Sequence, residues 1–317
     1  MKYLLLVCFI FISNIYAFDK VVIWGHKLHS HTHSYIHNAF YVAFKHLGYK
    51  TYWFDNQDNI DDFDFTNTLF LTEGQVDSGM PVRNDCKYIL HNCDGARYQN
   101  LDKKNYFTLQ VYTDDVLPRN VHKVEACIYY DYPGRCVFMP WATDLLPHEI
   151  DEIMLKIPHI RKSSTVYWIG TIGGGYFGNE HQIDPFINAC KENRCNFVRS
   201  SNVSFEENKR LVLESYMAPA IVGEWQAKVG YIPCRIFKNI SYGKMGITNS
   251  KRVFELFEGK VVYNSDTYAL FSDAKKRLES MKIEDLYDLM NFVKTKHTYI
   301  NRIQTLLTFL QYLDENN

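Results

Sequence analysis

Two stretches of this chain hold side chains whose types and spacing suit chemistry. The first, "IWGHKLHSHTHSYIHNAF" (residues 23–40), sets His26, His29, His31, His33 and His37 directly after an apolar run. Imidazole changes charge near neutral pH and binds metals through either ring nitrogen. Such a group therefore suits a proton acceptor, a metal site, or a loop that grips sugar and phosphate oxygens. The second stretch, "GYIPCRIFKNISYGKMGITNSKRVFELF" (residues 230–257), reads as a helix that Pro233 helps to start. Arg235, Lys238, Asn239 and Tyr242 fall at i, i+3, i+4 and i+7 on one face of it, while Ile236, Phe237 and Ile240 point elsewhere. A helix N-terminus bearing an Arg and a Lys one turn apart suits a diphosphate, because free backbone N–H groups, the helix dipole and two fixed charges all favour an anion. "GKMGITNSKR" then predicts a tight turn, a short strand through Thr248, and a helix capped by Asn249 and Ser250 that brings a second set of donors nearby.

These residues need elements to position them. At 317 residues the chain exceeds the usual size of one core, so two domains are expected. From Lys20 onward short β-rich runs alternate with amphipathic helical stretches, the pattern of an α/β fold with largely parallel sheets. "KVVIW" predicts the first strand, and "SYIHNAFYVAFKHLG" the first helix, with Ser34 as its cap and His37 one turn inside. Further strands are expected at "KTYWF", "TLFLT", "KYILHNC", "FTLQVY" and "ACIYY". The expected division is an N-terminal Rossmann-like domain over residues 18–145, a connector over 146–162 marked by prolines and a short acidic helix, and a second Rossmann-like domain over 163–285. Two terminal helices over 286–317 are placed to cross back to the first domain. Two doubly wound domains imply a cleft, and ligands in such sheets sit at the carboxyl ends of strands. There "WIGTIGGGYFGN" offers Gly170, Gly173 and Gly174, where backbone can approach a ligand closely. Its spacing is not that of a dinucleotide fingerprint and fits a loop closing over a donor. Trp225 in "VGEWQAKVG" reads as a core residue rather than a base reader.

Composition narrows the partners. Lys plus Arg number 35 against 36 Asp plus Glu, so no global field attracts nucleic acid or an anionic membrane, and an anion must meet a local site. Residues 1–17, "MKYLLLVCFIFISNIYA", pair one Lys with an apolar run too short for a comfortable bilayer span; a cleaved secretory signal is expected, with a secretory-pathway or extracytoplasmic location, and cytoplasmic otherwise. No extended membrane domain is expected. Behind it lie seven cysteines, of which Cys86/Cys93, Cys127/Cys136 and Cys190/Cys195 are close enough in sequence to pair in an oxidising lumen, although spacing does not fix connectivity. Asn202 and Asn239 each open a formal glycosylation sequon.

Over residues 230–257 the chain resembles GT-B glycosyltransferases, in particular the branch whose C-terminal domain carries an Arg-x-Phe-Glu-type helix, a small-x-Gly turn and a strand. "RIFKNISYGKMGIT" matches in register through Arg235, Phe237, Gly243 and Thr248. The resemblance implies two Rossmann-like domains facing a cleft, with Arg235, Lys238, Asn239, Gly173, Gly174, Thr248, Asn249 and Ser250 on a nucleotide-diphosphate sugar. It implies an acceptor in the N-terminal domain beside His26, His29, Ser34 and His37, with His33 and then His31 as the catalytic histidines. Where many relatives place a Glu for the nucleotide ribose, this chain has Lys238, which suits phosphate instead. With no Asp-x-Asp pair in a suitable place, transfer without a metal or other cofactor is expected. "LHSHTH" also resembles the opening metal motif of polymerase and histidinol phosphatase phosphoesterases, with His29 and His31 as ligands, but Lys27 stands where that motif has Asp. A phosphoesterase of that type, and a silent nucleotide-sugar binder, are the alternatives; oligomeric state stays open.

Overall fold

A computed structural model describes residues 18–27, 33–112, 117–159 and 163–316 of the chain. The expected signal segment and the roles expected of His29 and His31 lie outside the described residues. The N-terminal half contributes β1 (Lys20–Trp24), α1 (Ser34–His46), β2 (Thr51–Phe54), β3 (Thr68–Glu73), β4 (Lys87–His91), β5 (Tyr106–Gln110), β6 (His122–Glu125), β7 (Ile128–Asp131) and β8 (Cys136–Phe138). They form an eight-stranded sheet in the order β2-β1-β3-β4-β5-β8-β7-β6. The first six are parallel, and β7 and β6 close one edge as antiparallel strands. Alternate residues of these apolar strands serve opposite faces. Val21, Ile23, Leu69, Leu71 and Ile89 meet Phe40 and Phe44 of α1. Val22, Trp24, Phe70, Tyr88 and Leu90 meet Phe65, Met80, Tyr98 and Leu101, which come from loops and one short 3-10 turn (Gly95–Tyr98) rather than from α-helices. Each fully buried Phe in such a core contributes about 1.5–3 kcal/mol relative to exposure.

The second half begins with α2 (Pro147–Lys156), which has Pro147 in its first turn, and continues through β9 (Thr165–Ile169), α3 (Glu180–Glu192), β10 (Asn196–Ser200), α4 (Phe205–Glu214) and β11 (Pro219–Ala220). Then follow α5 (Glu224–Lys228), α6 (Cys234–Ser241), β12 (Ile247–Thr248), α7 (Lys251–Leu256), β13 (Val262–Tyr263), α8 (Thr267–Ser280), α9 (Ile283–Lys296) and α10 (Tyr299–Glu315). Its strands are parallel in two groups, β10-β9 and β11-β12-β13. The Tyr216 N–H donates to the Thr165 carbonyl at 2.7 Å and ties the segment before β11 to β9. Three helices follow β13 where the sequence suggests two. Of these, α9 buries Leu286, Leu289, Met290 and Val293 in the second core, whereas α10 buries Ile303, Leu306, Phe309 and Leu310 in the first, against α1.

The chain thus crosses between cores twice, and the two crossings touch. Thr143 bridges Thr298, and the Thr143 N–H donates to the His297 carbonyl at 3.0 Å. Arg302, fully buried, donates to the carbonyls of Pro140 (2.7 Å), Trp141 (3.2 Å) and Lys296 (3.2 Å). One guanidinium therefore pins both crossings. No described helix is long and apolar enough to cross a membrane. All seven cysteines of the described residues are free thiols, so none of the three sequence-adjacent pairings is formed.

Candidate active site

Between the two halves lies a cleft of about 520 Å³, and α6 forms one wall. Ile236, Phe237 and Ile240 are buried in the second core, which leaves the opposite face, Arg235, Lys238, Asn239 and Tyr242, lining the cleft as the periodicity predicts. Pro233 occupies the N-cap.

Arg235 is fixed before any ligand arrives. Its Nη1 donates to the Ile169 carbonyl at 2.6 Å, and its guanidinium lies 3.9 Å from the Trp168 ring centroid, a cation–π contact. Burial pulls its pKa down to about 10, so it remains a cation at neutral pH. Gly170 makes room for this placement: its φ is +118°, and a Cβ there would come within 3.0 Å of Arg235 Nη2. One turn along α6, Lys238 Nζ lies 2.6 Å from Asp144 Oδ2, and the Tyr242 hydroxyl donates to Asp144 Oδ1 at 2.7 Å. Burial acts to lower the Lys238 pKa, but the Asp144 carboxylate more than offsets it and the net shift is upward. The same burial, with Asp144 adding, raises Tyr242 well above the ordinary phenol range. The site therefore presents two held cations and a neutral phenol.

The other residues expected on the donor act one step back. Asn239 is 4% exposed and its Nδ2 donates to the Ala218 carbonyl at 2.8 Å, which also closes its sequon to modification. The Thr248 hydroxyl donates to the Ala220 carbonyl at 3.1 Å. Asn249 accepts from the Val222 N–H (2.9 Å) and donates to the Val222 carbonyl (3.0 Å). Ser250 caps α7 through the Val253 N–H. These three do not line the cleft; they shape the 220–223 turn, whose Ile221 and Val222 do. Gly173 accepts the N–H groups of Asn179 and Glu180, and the glycine-rich segment reaches the cleft through Gly170, Thr171 and Asn179 rather than through Gly173 or Gly174. Trp225 is not a core residue: its ring packs against Phe177 (4.9 Å) and Tyr112 (5.2 Å), and the Phe177 side of this group is exposed.

The cleft is also lined by His33 and Tyr35 from the start of α1 and by Trp141 and Asp144 from the first crossing, Asp144 reaching α6 through Lys238 and Tyr242. The Tyr35 hydroxyl donates across the cleft to the Val203 carbonyl at 3.2 Å. Ser34 does not cap α1. His33 holds the N-cap position, and the buried Ser34 hydroxyl donates to the Lys27 carbonyl at 2.9 Å. His26 and His37 sit behind His33 rather than in the cleft. His37 is buried, with Nδ1 2.6 Å from the Gly25 carbonyl. His26, in a left-handed conformation (φ 45°), places Nε2 3.0 Å from Glu73 Oε2. One ligand atom each of His26, His33 and Glu73 lies within 4.8 Å of the others, so this trio is able to hold a metal ion. His33 belongs both to the cleft and to a small cavity lined by Glu73, His37, His91 and Trp141.

Sequence reasoning missed Asp144, Glu73 and His91. Each carried a faint signal: Glu73 and His91 end fully buried parallel strands at the carboxyl edge, where ligands bind, and Asp144 is the lone charge in a buried "PWATDLL" run.

Two Rossmann-like domains with their parallel strands facing a shared cleft, and a last helix returning to the first, define the GT-B fold of glycosyltransferases. A solved alpha-glucosyltransferase in complex with UDP superposes with a TM-score of 0.56 over 92% of this chain and 99% of that one, at 9% identity. An alpha1,3-fucosyltransferase structure aligns with a TM-score of 0.49 over 96% of this chain and 92% of that one, at 11% identity. No family model and no curated protein matches the sequence.

Proposed function

We propose that this protein transfers a sugar from a nucleotide diphosphate donor to a hydroxyl group of a glycan, glycoprotein or lipid. The observation that carries this reading is the pair of cations on one face of α6, Arg235 and Lys238, aimed into the cleft opposite His33. Negative charge grows on the diphosphate as the sugar leaves. Preorganised cations in a partly desolvated site stabilise that charge without reorganising. Arg235 and Lys238 supply it from the protein itself, so departure of the diphosphate needs no bridging metal. Lys238 exchanges part of its contact with Asp144 for phosphate oxygen, and Tyr242 keeps the carboxylate paired meanwhile. On the far wall, His33 takes the proton of the acceptor hydroxyl as the new bond to the anomeric carbon forms.

The fold of the UDP-bound neighbour makes uridine diphosphate the first ligand to try. The test is a thermal-shift screen of UDP, GDP, ADP, CMP and their sugars, followed by donor turnover. A nucleoside diphosphate at a hundred times its Kd stabilises the folded state by about 2.7 kcal/mol and raises Tm accordingly. That shift persists in chelator. If every nucleotide leaves Tm unchanged, the reading is wrong.

A further inference from the structure

The histidine cluster behind the cleft holds more ligating atoms than a single proton acceptor needs. Glu73 ends β3 with its side chain 1% exposed. Its Oε2 meets His26 Nε2 at 3.0 Å and the Gln75 N–H at 3.2 Å, while Oε1 is buried with no hydrogen-bond partner among the described residues. An unpaired buried carboxylate oxygen costs free energy unless something cationic meets it. Lys27, which follows His26 in sequence, has its Nζ 2.6 Å from Asp58, on the β2 side. The cation that Lys27 would bring to this cluster is thus neutralised elsewhere.

We infer that His26, His33 and Glu73 form a site for one transition-metal dication of the zinc type. The chemistry of the set fits: two imidazoles and one carboxylate are borderline donors that zinc accepts, and three protein ligands leave a position open for water or substrate oxygen. The geometry is close. Bonds of about 2.0–2.1 Å spread tetrahedrally set ligand atoms about 3.3 Å apart. The His26–Glu73 pair stands at 3.0 Å, all three ligand atoms lie within 4.8 Å of one another, and His33 holds the N-cap of α1. Backbone conformation supports the placement, because His26 takes the left-handed region, uncommon for a residue with a Cβ, and so turns its ring onto Glu73. The surroundings are firm: the His37 ring is tied to the Gly25 carbonyl and the His91 ring to the Leu109 carbonyl (2.9 Å). This trio differs from the His29/His31 pair of the phosphoesterase-like motif. The metal site itself does not depend on the transferase reading; ligation and proton acceptance are alternative states of the same His33 ring, so the transfer proposed above belongs to the metal-free protein.

The experiment uses the full chain, stripped with chelator and titrated with Co2+ and then Zn2+. Bound Co2+ gives the visible bands of a four- or five-coordinate ion at one equivalent, and Zn2+ abolishes them. Glu73→Gln, isosteric and uncharged, and His26→Ala each weaken Co2+ binding by about a hundredfold or more, beyond the 10–100-fold typical of outer-shell partners. A circular-dichroism melt confirms that each variant folds; His33→Asn provides a third variant should one of them unfold. Absence of the bands, or bands indifferent to all three substitutions, overturns the assignment. The nucleotide screen is read on the same stripped samples. A missing nucleotide shift with intact Co2+ bands refutes the transferase reading and leaves the metal site standing, and the reverse pattern refutes the metal site alone.

Discussion

Lys238 and Asp144 give the sharpest test of the donor site, because the structure makes opposite demands on stability and on binding. Lys238 Nζ and Asp144 Oδ2 are 2.6 Å apart, with side-chain exposures of 15% and 5%. Lys238→Met leaves the carboxylate buried with the Tyr242 hydroxyl as its remaining partner in the cleft, and breaking such a pair costs about 3–5 kcal/mol. It also removes a charge-assisted contact to the diphosphate, which contributes about 1.5–3 kcal/mol and hence roughly ten- to a hundredfold in Kd. Adding Asp144→Asn removes the stranded charge while keeping an acceptor for Tyr242. The double variant should therefore recover most of the lost stability in denaturant titrations and none of the lost affinity in calorimetry with a nucleoside diphosphate. Asp144→Asn alone leaves Lys238 buried without its anion, so the unliganded protein loses stability and the diphosphate binds more tightly. A double variant that binds like the wild type would refute the claim that Lys238 meets phosphate.

Gly170→Ala forces a Cβ onto a φ of +118° and against Arg235 Nη2, so it should lower stability by more than about 1 kcal/mol and weaken diphosphate binding, both read by thermal shift with and without nucleotide. Arg235→Lys keeps the charge but loses the planar stack on Trp168 and the bond to the Ile169 carbonyl; nucleotide affinity should fall about tenfold or more, measured by calorimetry. Arg302→Leu strands the carbonyls of Pro140, Trp141 and Lys296 at the crossings, at about 1–3 kcal/mol for each buried acceptor left unpaired, and denaturant titration should show a loss of several kcal/mol. His297 is held well below the ordinary value of 6.5 by burial, with Arg302 and Lys296 adding, so it stays neutral in the folded chain while the unfolded chain takes up a proton below 6.5. The unfolded state then binds more protons, and stability falls as pH falls through that value, by at most about 1.4 kcal/mol per unit. His297→Asn should flatten that slope in denaturant titrations, and an unchanged slope would assign the acid sensitivity to other groups.

What the sequence made legible follows the range of the interactions involved. The β1–α1 unit and the two-faced α6 are set by periodicity within a dozen residues, so "KVVIW" and the Arg235/Lys238/Asn239/Tyr242 face appear in the structure as read. The edge strand β6 and the interior strand β8 went unseen because their stability comes from pairing, β6 with β7 and β8 with β5 and β7; the four exposed residues of β6, "HKVE", carry no apolar signature of their own, and β8 is three residues long. Thr248, Asn249 and Ser250 illustrate a different limit. Their types suit ligand donors and turn-builders equally, and whether backbone carbonyls such as Ala220 and Val222 satisfy them depends on the neighbouring strand. The histidines show the same limit in reverse. Five crowd one short stretch of sequence, yet the partner that joins His26 and His33 is Glu73, whose carboxylate meets the His26 ring across a separation of 47 residues. Local sequence therefore marked the histidine-rich stretch, and the parallel register that sets the ends of β1, β3 and β4 side by side brought Glu73 and His91 to it.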